Sequence, residues 1–273
     1  MKQTPLILVT NDDGIESPGL LAAARAALSL GDVLIAAPHQ QQTGAGRSFT
    51  ELHDRRIFRR EMMIDNQSVT AFSFKGTPAQ IVAVAMLDLV PRRPDLVISG
   101  INFGLNVGNG ITISGTVGAA LEAASNNIPA LAVSLDMPVE YHTSHSDEID
   151  FGVAEHFTGY FARQALQNLP FPADVDVLKI DVPAGATAES VWRMTTVSRQ
   201  SYNRNFPSPP EERGRWVQTG YGPQVNKDRL EPESDIWAVT VDGVVSVSPL
   251  SLDMTSRVSL ATMARRLNNG AAS

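Results

Sequence analysis

The sequence contains no cysteine among its 273 residues. Disulfide bonds, thiolate metal ligands and a cysteine nucleophile are therefore excluded. It also lacks long apolar runs, and no stretch approaches the roughly 18 residues that a membrane-spanning helix needs. The N-terminal segment has only a short apolar run, Leu6 to Val9, before acidic residues, which is not typical of a signal peptide. These absences predict a soluble, cytoplasmic protein that does not bind a membrane.

Basic residues are fewer than acidic ones. The 22 Lys and Arg residues stand against 29 Asp and Glu residues, which gives a net charge of -7. Proteins that bind long nucleic acids cluster Lys and Arg against the phosphates, so the acidic balance argues against such a partner. A small phosphorylated ligand stays compatible, because one bound cation reverses the local field. A hydrophobic fraction of 43% indicates a folded chain, and the length allows one large α/β domain.

The first half of the chain alternates apolar runs with helix-forming segments. The resulting βαβ order predicts a mostly parallel, doubly wound sheet with right-handed crossovers. Short apolar runs and one alternating run predict strands at 6–10, 32–37, 69–75, 96–99 and 130–134. Helices are predicted at 20–30, 80–90 and 116–126.

The pattern weakens after about residue 135. Residues 199–235 are rich in Pro, Arg and Glu and have few apolar anchors, which predicts an extended arm or hairpin. The long Gly- and Asn-rich segment 100–110 is predicted as a loop. Further elements are predicted as a loop at 140–149, a helix at 151–169 and strands at 177–182 and 237–247.

A pair of adjacent carboxylates, Asp12 and Asp13, comes directly after the first predicted strand. Two neighbouring negative charges are costly unless a cation lies beside them. Thr43 and Asn102 lie in loops after other strands, and ligands of open parallel sheets bind at such strand ends. Carboxylate, amide and hydroxyl oxygens suit Mg²⁺ or Mn²⁺, so the four residues predict a metal site. The alternative is a polar turn and helix cap at the acidic pair, with ordinary loop hydrogen bonds at Thr43 and Asn102.

The segment SGTVGAA places hydroxyls and glycines at the start of a predicted helix. Exposed backbone N–H groups and the helix dipole favour an anion at such a position. Ser114, Gly115 and Thr116 are therefore candidate phosphate contacts. The alternative for this segment alone is an ordinary helix cap followed by small residues that allow close packing.

Several other polar or aromatic residues are interpreted structurally. We expect His142 and His145 to lie in a solvated loop and Tyr202 and Trp237 to pack in the interior. The basic run of Arg55, Arg56, Arg59 and Arg60 is expected to form a solvated face.

Taken together, the motifs resemble the SurE family (survival protein E), a group of 5′/3′-nucleotidases. NDDG, TGAGRS, GTPA, SGINFGLN and SGTVGAALEA occur in the order and spacing of that family between residues 11 and 123. The likeness continues through SRQSY near residue 200 and the late segments SDIWAV and GVVSVSPL.

The resemblance implies an α/β fold with a Rossmann-like, three-layer core and a mostly parallel sheet. It also implies a C-terminal extended hairpin or arm that is exchanged between subunits, giving a homodimer or homotetramer. We therefore expect one SurE-like phosphatase domain over residues 1–273. Its core would cover about residues 1–185, and the oligomerisation arm with a closing strand or helix would cover about residues 186–273.

The implied activity is divalent-metal-dependent release of phosphate from nucleoside 5′- and 3′-monophosphates, that is, a 5′-nucleotidase with one Mg²⁺ or Mn²⁺ per subunit. The two Asp, one Ser and one Asn ligands of the family correspond to Asp12, Asp13, Thr43 and Asn102. Asp12 and Asp13 are also the candidate catalytic residues, with Asp13 preferred as an acid or base. Whether water or a carboxylate attacks the phosphorus stays open.

The phosphate-side residues of the family correspond to Ser114, Gly115 and Thr116, and we add further substrate contacts from the same group of loops. These are Asn11, Gly44 and Asn106. The chain departs from the family at three positions. Thr43 replaces the usual Ser, Ile113 replaces a common Tyr, and Gln80 replaces the usual Asp or Cys.

Other functions fit parts of the pattern. A receiver-type phosphorylation switch also has an acidic pair after the first strand, but it needs a phosphoacceptor Asp at the end of a later strand. Here Asp95 precedes its strand. A haloacid-dehalogenase-type phosphatase is disfavoured because the Asp-x-Asp-x-Thr pattern is missing. Nucleotide binding without turnover, and a phosphatase acting mainly on compounds such as short polyphosphate, stay open.

Overall fold

The computed structural model describes residues 3–146, 148–212, 214 and 220–269. Within these ranges the strands, in chain order, are β1 (Leu6–Thr10), β2 (Asp32–Pro38), β3 (Phe58–Ile64), β4 (Gln67–Phe74), β5 (Leu96–Phe103), β6 (Ala130–Leu135), β7 (Val177–Val182), β8 (Trp192–Met194), β9 (Asn203–Asn205), β10 (Tyr221–Pro223) and β11 (Val245–Leu250).

The α-helices are α1 (Pro18–Leu28), α2 (Pro78–Val84), α3 (Gly115–Ser125), α4 (Gly152–Gln167), α5 (Asp235–Thr240) and α6 (Leu260–Asn269). A π-helical turn, Ala85–Leu89, continues α2. Short 3₁₀ turns occupy Asn109–Thr112, Val139–Tyr141, Pro210–Glu212 and Lys227–Arg229.

The main sheet of the described chain has nine strands in the order β3-β4-β2-β1-β5-β6-β7-β11-β8. Six of its eight neighbouring pairs are parallel, and the two antiparallel pairs are β3 with β4 and β7 with β11. β9 and β10 form a separate antiparallel hairpin. The mostly parallel sheet predicted from the sequence is confirmed, and its central strands bring the polar loops to one edge.

Helices cover both faces of the sheet. In β1, Ile7 and Val9 face the core under α1 and α4, whereas Leu8 faces the core under α2 and α3. Consecutive residues of a strand point to opposite faces, so a strand buried on both sides is apolar at every position. This explains the continuous apolar run of residues 6–9 and confirms a three-layer α/β core.

Three of the helices that cover the sheet, α1, α2 and α3, begin at a side-chain cap. Ser17 Oγ accepts a hydrogen bond from Leu20 N at the start of α1, and Ser114 Oγ accepts one from Val117 N at α3. Thr77 and Gln80 form a reciprocal capping box at α2. These caps satisfy backbone donors that a helix leaves unpaired, and they fix where each loop ends.

Some sequence predictions were wrong. The segment 100–110 is not all loop, because β5 continues through Phe103 with a register shift after Ser99. The strand predicted at 237–247 is divided between α5 and β11, since the Ser234 side chain caps a helix before the apolar run begins. The sequence analysis also missed β3, whose four residues from Phe58 to Glu61 are exposed at the sheet edge, and the exposed α6.

The predicted hairpin within residues 199–235 is confirmed by β9 and β10, although positions 213 and 215–219 of that segment lie outside the described residues. The exchange of the C-terminal part between subunits stays a prediction. None of the helices in the described ranges has the length and apolarity to cross a membrane.

Gly118 allows α3 to pack directly on the loop that carries Thr43. A Cβ atom at Gly118 would lie 2.2 Å from the Gly46 carbonyl oxygen, whereas a Cβ at Gly159 in α4 would meet nothing closer than 3.5 Å. We expect Gly118→Ala to lower the free energy of unfolding by about 1–3 kcal/mol through overpacking. Gly159→Ala should be neutral or stabilising, since alanine favours helix. Equal unfolding midpoints in urea for the two variants would contradict this packing.

Candidate active site

A cavity of about 250 Å³ opens where the carboxyl ends of the central strands meet. The structure brings all four predicted metal ligands to its wall: Asp12, Asp13, Thr43 and Asn102. Three of the predicted phosphate and substrate contacts also line it: Gly44, Asn106 and Ser114. The remaining three, Asn11, Gly115 and Thr116, are buried and do not line it.

A tight turn after β1 presents the two carboxylates. Asn11 Nδ2 donates to the Gly14 carbonyl oxygen at 3.1 Å, and Asn11 Oδ1 accepts from Gly14 N at 3.2 Å. Gly14 has a φ of +100°, which a residue with a side chain rarely adopts. The Asn11 side chain is therefore occupied within the turn, where it orients Asp12 and Asp13.

Three side-chain oxygens converge at the wall of the cavity. Thr116 Oγ1 lies 2.6 Å from Asp12 Oδ1 and 2.9 Å from Asn102 Oδ1. The Asn102 Nδ2 atom donates to the Gly104 carbonyl oxygen at 2.7 Å, which fixes the amide with its oxygen toward Thr116. A threonine hydroxyl has one proton for these two acceptors. The cluster is therefore rich in unshared lone pairs, as a site for a hard cation requires.

The donor set fits a divalent cation that prefers oxygen. Within the described residues, no three His, Cys, Asp or Glu side chains form a metal-binding group, so the two carboxylates must be supplemented by neutral ligands. Asn102 and Thr43 supply an amide and a hydroxyl oxygen at the same cavity. The loop before Thr43 is held close to the acidic pair, because Gln42 N donates to the Asp12 carbonyl oxygen at 2.7 Å.

Burial dominates the electrostatics of the acidic pair. Asp12 is 4% and Asp13 2% exposed. Burial raises the pKa of Asp12 to about 6, although the Thr116 hydroxyl and the Gly115 backbone oppose the rise. Burial and then the charge of Asp12 raise the pKa of Asp13 well above its usual value, against hydrogen bonds from Phe103 N and Gln41. Without a cation, the pair therefore favours binding a proton.

The N-terminus of α3 faces Asp12 rather than open space. A Cβ atom at Gly115 would lie 2.7 Å from both Cβ and Oδ2 of Asp12, so only glycine allows this approach. Backbone hydrogen bonds from Gly115 and Thr116 lower the pKa of Asp12. Of the predicted phosphate contacts in this segment, Ser114 alone reaches the cavity wall.

Asn106 is the predicted substrate contact with an unused donor. Its Nδ2 atom is buried and finds no hydrogen-bond acceptor among the described residues. Its backbone N–H donates to Asp181 Oδ1 at 3.0 Å, which fixes the loop that carries it. A buried amide donor is costly without an acceptor, so a ligand oxygen would stabilise this arrangement.

Sequence reasoning missed the role of His142 in the cavity. Tyr221 in β10 lies close to it, with the phenolic oxygen 2.9 Å from His142 Nδ1. His142 Nε2 lies 3.2 Å from the Met137 carbonyl oxygen, so Nε2 carries the proton and Tyr221 donates to Nδ1. Burial lowers the pKa of His142, which favours this neutral ring. His142 and Tyr221 are 79 residues apart in the chain, so no local sequence pattern could predict the contact.

The β9–β10 hairpin supplies the other wall of the cavity through Tyr202, Asn203, Asn205 and Tyr221. Tyr202 was expected only to pack; like Trp237 it packs against the apolar cluster that includes Ile236, but it also lines the cavity. Burial raises the pKa of Tyr202 to about 12, so the phenol stays neutral. His145 is not freely solvated either, because its Nε2 lies 3.3 Å from the Asp13 carbonyl oxygen. The four arginines from Arg55 to Arg60 are exposed, as predicted.

Comparison with known proteins agrees with the motifs and the fold. The family model described as survival protein SurE matches residues 7–204. A protein named 5′-nucleotidase SurE from Methanocella arvoryzae is 40% identical over 258 residues, covering 92% of this chain and 93% of that relative. A protein of the same name from Thermococcus kodakarensis is 37% identical over 252 residues, covering 92% of this chain and 94% of its own.

A solved structure, that of the SurE protein from Aquifex aeolicus, superimposes with a TM-score of 0.74 and 28% identity. The match covers 96% of this chain and 100% of that one. The resemblance inferred from five short motifs thus extends across nearly the whole length, and the chain belongs to the SurE family.

Proposed function

We propose that this protein is a metal-dependent phosphomonoesterase that releases phosphate from nucleoside 5′- and 3′-monophosphates. The observation that carries the proposal is the convergence of Asp12 and Asn102 oxygens on the single hydroxyl of Thr116 beside a cavity. The names of the relatives, 5′-nucleotidase SurE, support the nucleotidase activity. The net charge of -7 supports a mononucleotide rather than a long nucleic acid as substrate.

Asp12, Asp13, Thr43 and Asn102 are the proposed ligands of one Mg²⁺ or Mn²⁺ ion per chain. Such an ion, when bound, polarises phosphoryl oxygens and lowers the pKa of a water molecule. The two carboxylates would balance its charge, and the hydrogen bonds of Asp13 to Gln41 and Phe103 N keep that carboxylate oriented. Asp13 is also the proposed acid or base.

The substrate phosphate is proposed to lie between Gly44, Asn106 and Ser114, where the unpaired Nδ2 of Asn106 is available as a donor. The nucleoside would then lie against the hairpin wall, where Tyr202 and Tyr221 provide neutral aromatic surface. Asn11, Gly115 and Thr116 support the site indirectly, through the turn after β1 and through Asp12.

We further propose that the chain acts as one functional unit over residues 1–273, in a homodimer or homotetramer that exchanges the part beyond about residue 186. The support is that Leu260 and Leu267 of α6 are 74% and 71% exposed, which is unusual for leucines of an amphipathic helix unless another surface covers them.

The phosphorylation-switch alternative is not favoured. Its phosphoacceptor would have to lie near Asp12 and Asp13, but Asp95 precedes β5 and accepts a hydrogen bond from Leu6 N, at the start of β1. The acidic pair lies beyond the other end of the same strand.

Phosphate release should require both carboxylates. With Mn²⁺ we expect hydrolysis of 5′-AMP, 5′-GMP and 3′-AMP, loss of activity in EDTA, and a decrease in kcat of at least about 100-fold for Asp12→Asn and for Asp13→Asn. Released phosphate is measured colorimetrically, with short polyphosphate as a further substrate. Asp54→Asn, which changes a carboxylate paired with Arg56 outside the cavity, is the matched control.

Normal turnover in either site variant would reject the site. Mn²⁺-dependent nucleotide binding without any release of phosphate would instead identify a binding protein.

The contribution of the acidic pair to the stability of the metal-free protein should fall as pH rises. The pKa of Asp12 is about 6 in the folded protein against an ordinary value of 3.8, and the pKa of Asp13 is also raised. The folded state thus holds protons that the unfolded chain has released. The resulting stabilisation is complete below about pH 4 and is lost as pH rises through about 6. For Asp12 this loss lowers the free energy of unfolding by about 3 kcal/mol.

Mn²⁺ should therefore raise the melting temperature more at pH 8 than at pH 5, because protons compete with the metal for the carboxylates. Calorimetry in EDTA and in Mn²⁺ measures the difference. The double variant Asp12→Asn with Asp13→Asn should show no metal-dependent shift. A wild-type shift of equal size at both pH values would refute the assignment of Asp12 and Asp13 as ligands.

A further inference from the structure

Three ionisable side chains are buried together beside the cavity. Lys179 and Asp181 belong to β7, Asp235 begins α5, and none of the three is exposed to solvent. Lys179 Nζ contacts Asp181 Oδ2 and lies 3.1 Å from Asp235 Oδ2. Burial opposes the charged form of both partners: it raises the pKa of Asp181 against the effect of Lys179, whereas at Lys179 the two carboxylates outweigh burial and raise the pKa. The direct contacts of the ammonium group with both carboxylates favour a charged lysine.

The carboxylates of this cluster hold the loop that carries Asn106. Asp181 Oδ1 accepts hydrogen bonds from Asn106 N at 3.0 Å and from Ser134 Oγ at 2.6 Å. Asp235 Oδ2 accepts one from Gly108 N at 3.0 Å. Two backbone amides of one loop are thus bound to two carboxylates that share one ammonium group. The loop between them includes Val107, which lines the cavity with Asn106.

The same cluster also anchors the segment before Tyr202, which leads to the opposite wall of the cavity. Asp235 Oδ1 accepts from Ser198 N at 2.9 Å, four residues before Tyr202. The two walls then meet directly, since Asn109 N donates to the Gln200 carbonyl oxygen at 2.9 Å and Gly108 pairs with Ser201. The orientation of both walls therefore depends on where the two carboxylates lie.

We propose that Lys179 is a positioning residue for the hydrolytic reaction. Its ammonium group holds Asp181 and Asp235 together, and through them it orients Asn106 on one wall and the segment before Tyr202 on the other. Lys179 does not line the cavity, so it acts only through these neighbours. The kinetic test of this inference rests on the proposed function, whereas the hydrogen-exchange test needs no activity.

The physical reason is charge balance in a buried space. Without the ammonium, two carboxylates would face each other away from water, and repulsion or protonation would change their hydrogen bonds. Lys179→Gln raises the negative charge of the cluster from one to two. Adding Asp181→Asn returns the charge to one and keeps an oxygen that can accept from Asn106 N. The pair of variants therefore separates charge balance from the loss of the lysine side chain.

The kinetic experiment compares wild type, Lys179→Gln, the double variant and Ile180→Ala, with 5′-AMP and Mn²⁺. Lys179→Gln is expected to lower kcat/KM by about 10- to 100-fold, mainly through a higher KM, because the phosphate contacts are displaced. The double variant should recover to within about threefold of wild type. Ile180 is the matched control, because it lies between the two charged residues in β7 but packs in the core below α1 and α4.

Ile180→Ala should lower the melting temperature and leave KM within about twofold of wild type, since it removes only apolar contacts. A wild-type KM in Lys179→Gln would overturn the proposal. Equal impairment of the single and double variants would overturn it as well, because restoring the charge would then have no effect.

Hydrogen exchange of the backbone amides tests the geometry without catalysis. In the wild type, Asn106 N–H and Gly108 N–H should exchange as slowly as amides of β5, although both lie in a loop. In Lys179→Gln their protection should fall selectively, and in the double variant it should return. If Lys179→Gln does not fold, the wild type still tests the proposal. Fast exchange of the Asn106 and Gly108 amide hydrogens in the wild type would overturn it. If wild type lacks activity, the proposed function fails, and exchange alone decides the role of Lys179.

Discussion

Two buried carboxylates without a resident cation form the constraint around which the site is organised. Asp12 and Asp13 are almost fully buried, and no Lys or Arg lines their cavity in the part of the chain that the structure describes. In such a setting carboxyl groups take up protons or bind a metal ion. Neutral oxygens of Asn102 and Thr43 at the same cavity favour the metal, because they add ligands without adding charge.

The surrounding structure partly offsets the cost of this arrangement. The N-terminus of α3 contributes backbone hydrogen bonds to Asp12, and Phe103 N and Gln41 donate to Asp13. Close approach of α3 requires glycine at position 115, where any side chain would overlap Asp12. The helix terminus that the sequence predicts as a phosphate site therefore contacts the acidic pair through Gly115 and Thr116, while Ser114 lines the cavity.

The cluster of Lys179, Asp181 and Asp235 also buries two carboxylates, but it balances their negative charge in a different way. Here the chain supplies its own cation, and the carboxylates use their remaining oxygens to hold backbone amides of both cavity walls. Removing one partner from such a buried group would leave a charge without compensation, so its members have few alternative arrangements away from water. One acidic cluster thus lines the cavity without a basic partner among the described residues, whereas the other pairs with a lysine and accepts hydrogen bonds from both walls.

The sequence by itself determined the parallel core and the identity of the metal-ligand candidates. Runs such as Leu6–Val9 are apolar at every position because both faces of the strand are covered, and polar residues directly after such strands must meet at one sheet edge. Tertiary structure alone decided that Tyr221 contacts His142 and that Gly115 and Thr116 face Asp12. Local periodicity reports burial along one segment, whereas these features depend on packing between segments far apart in the chain.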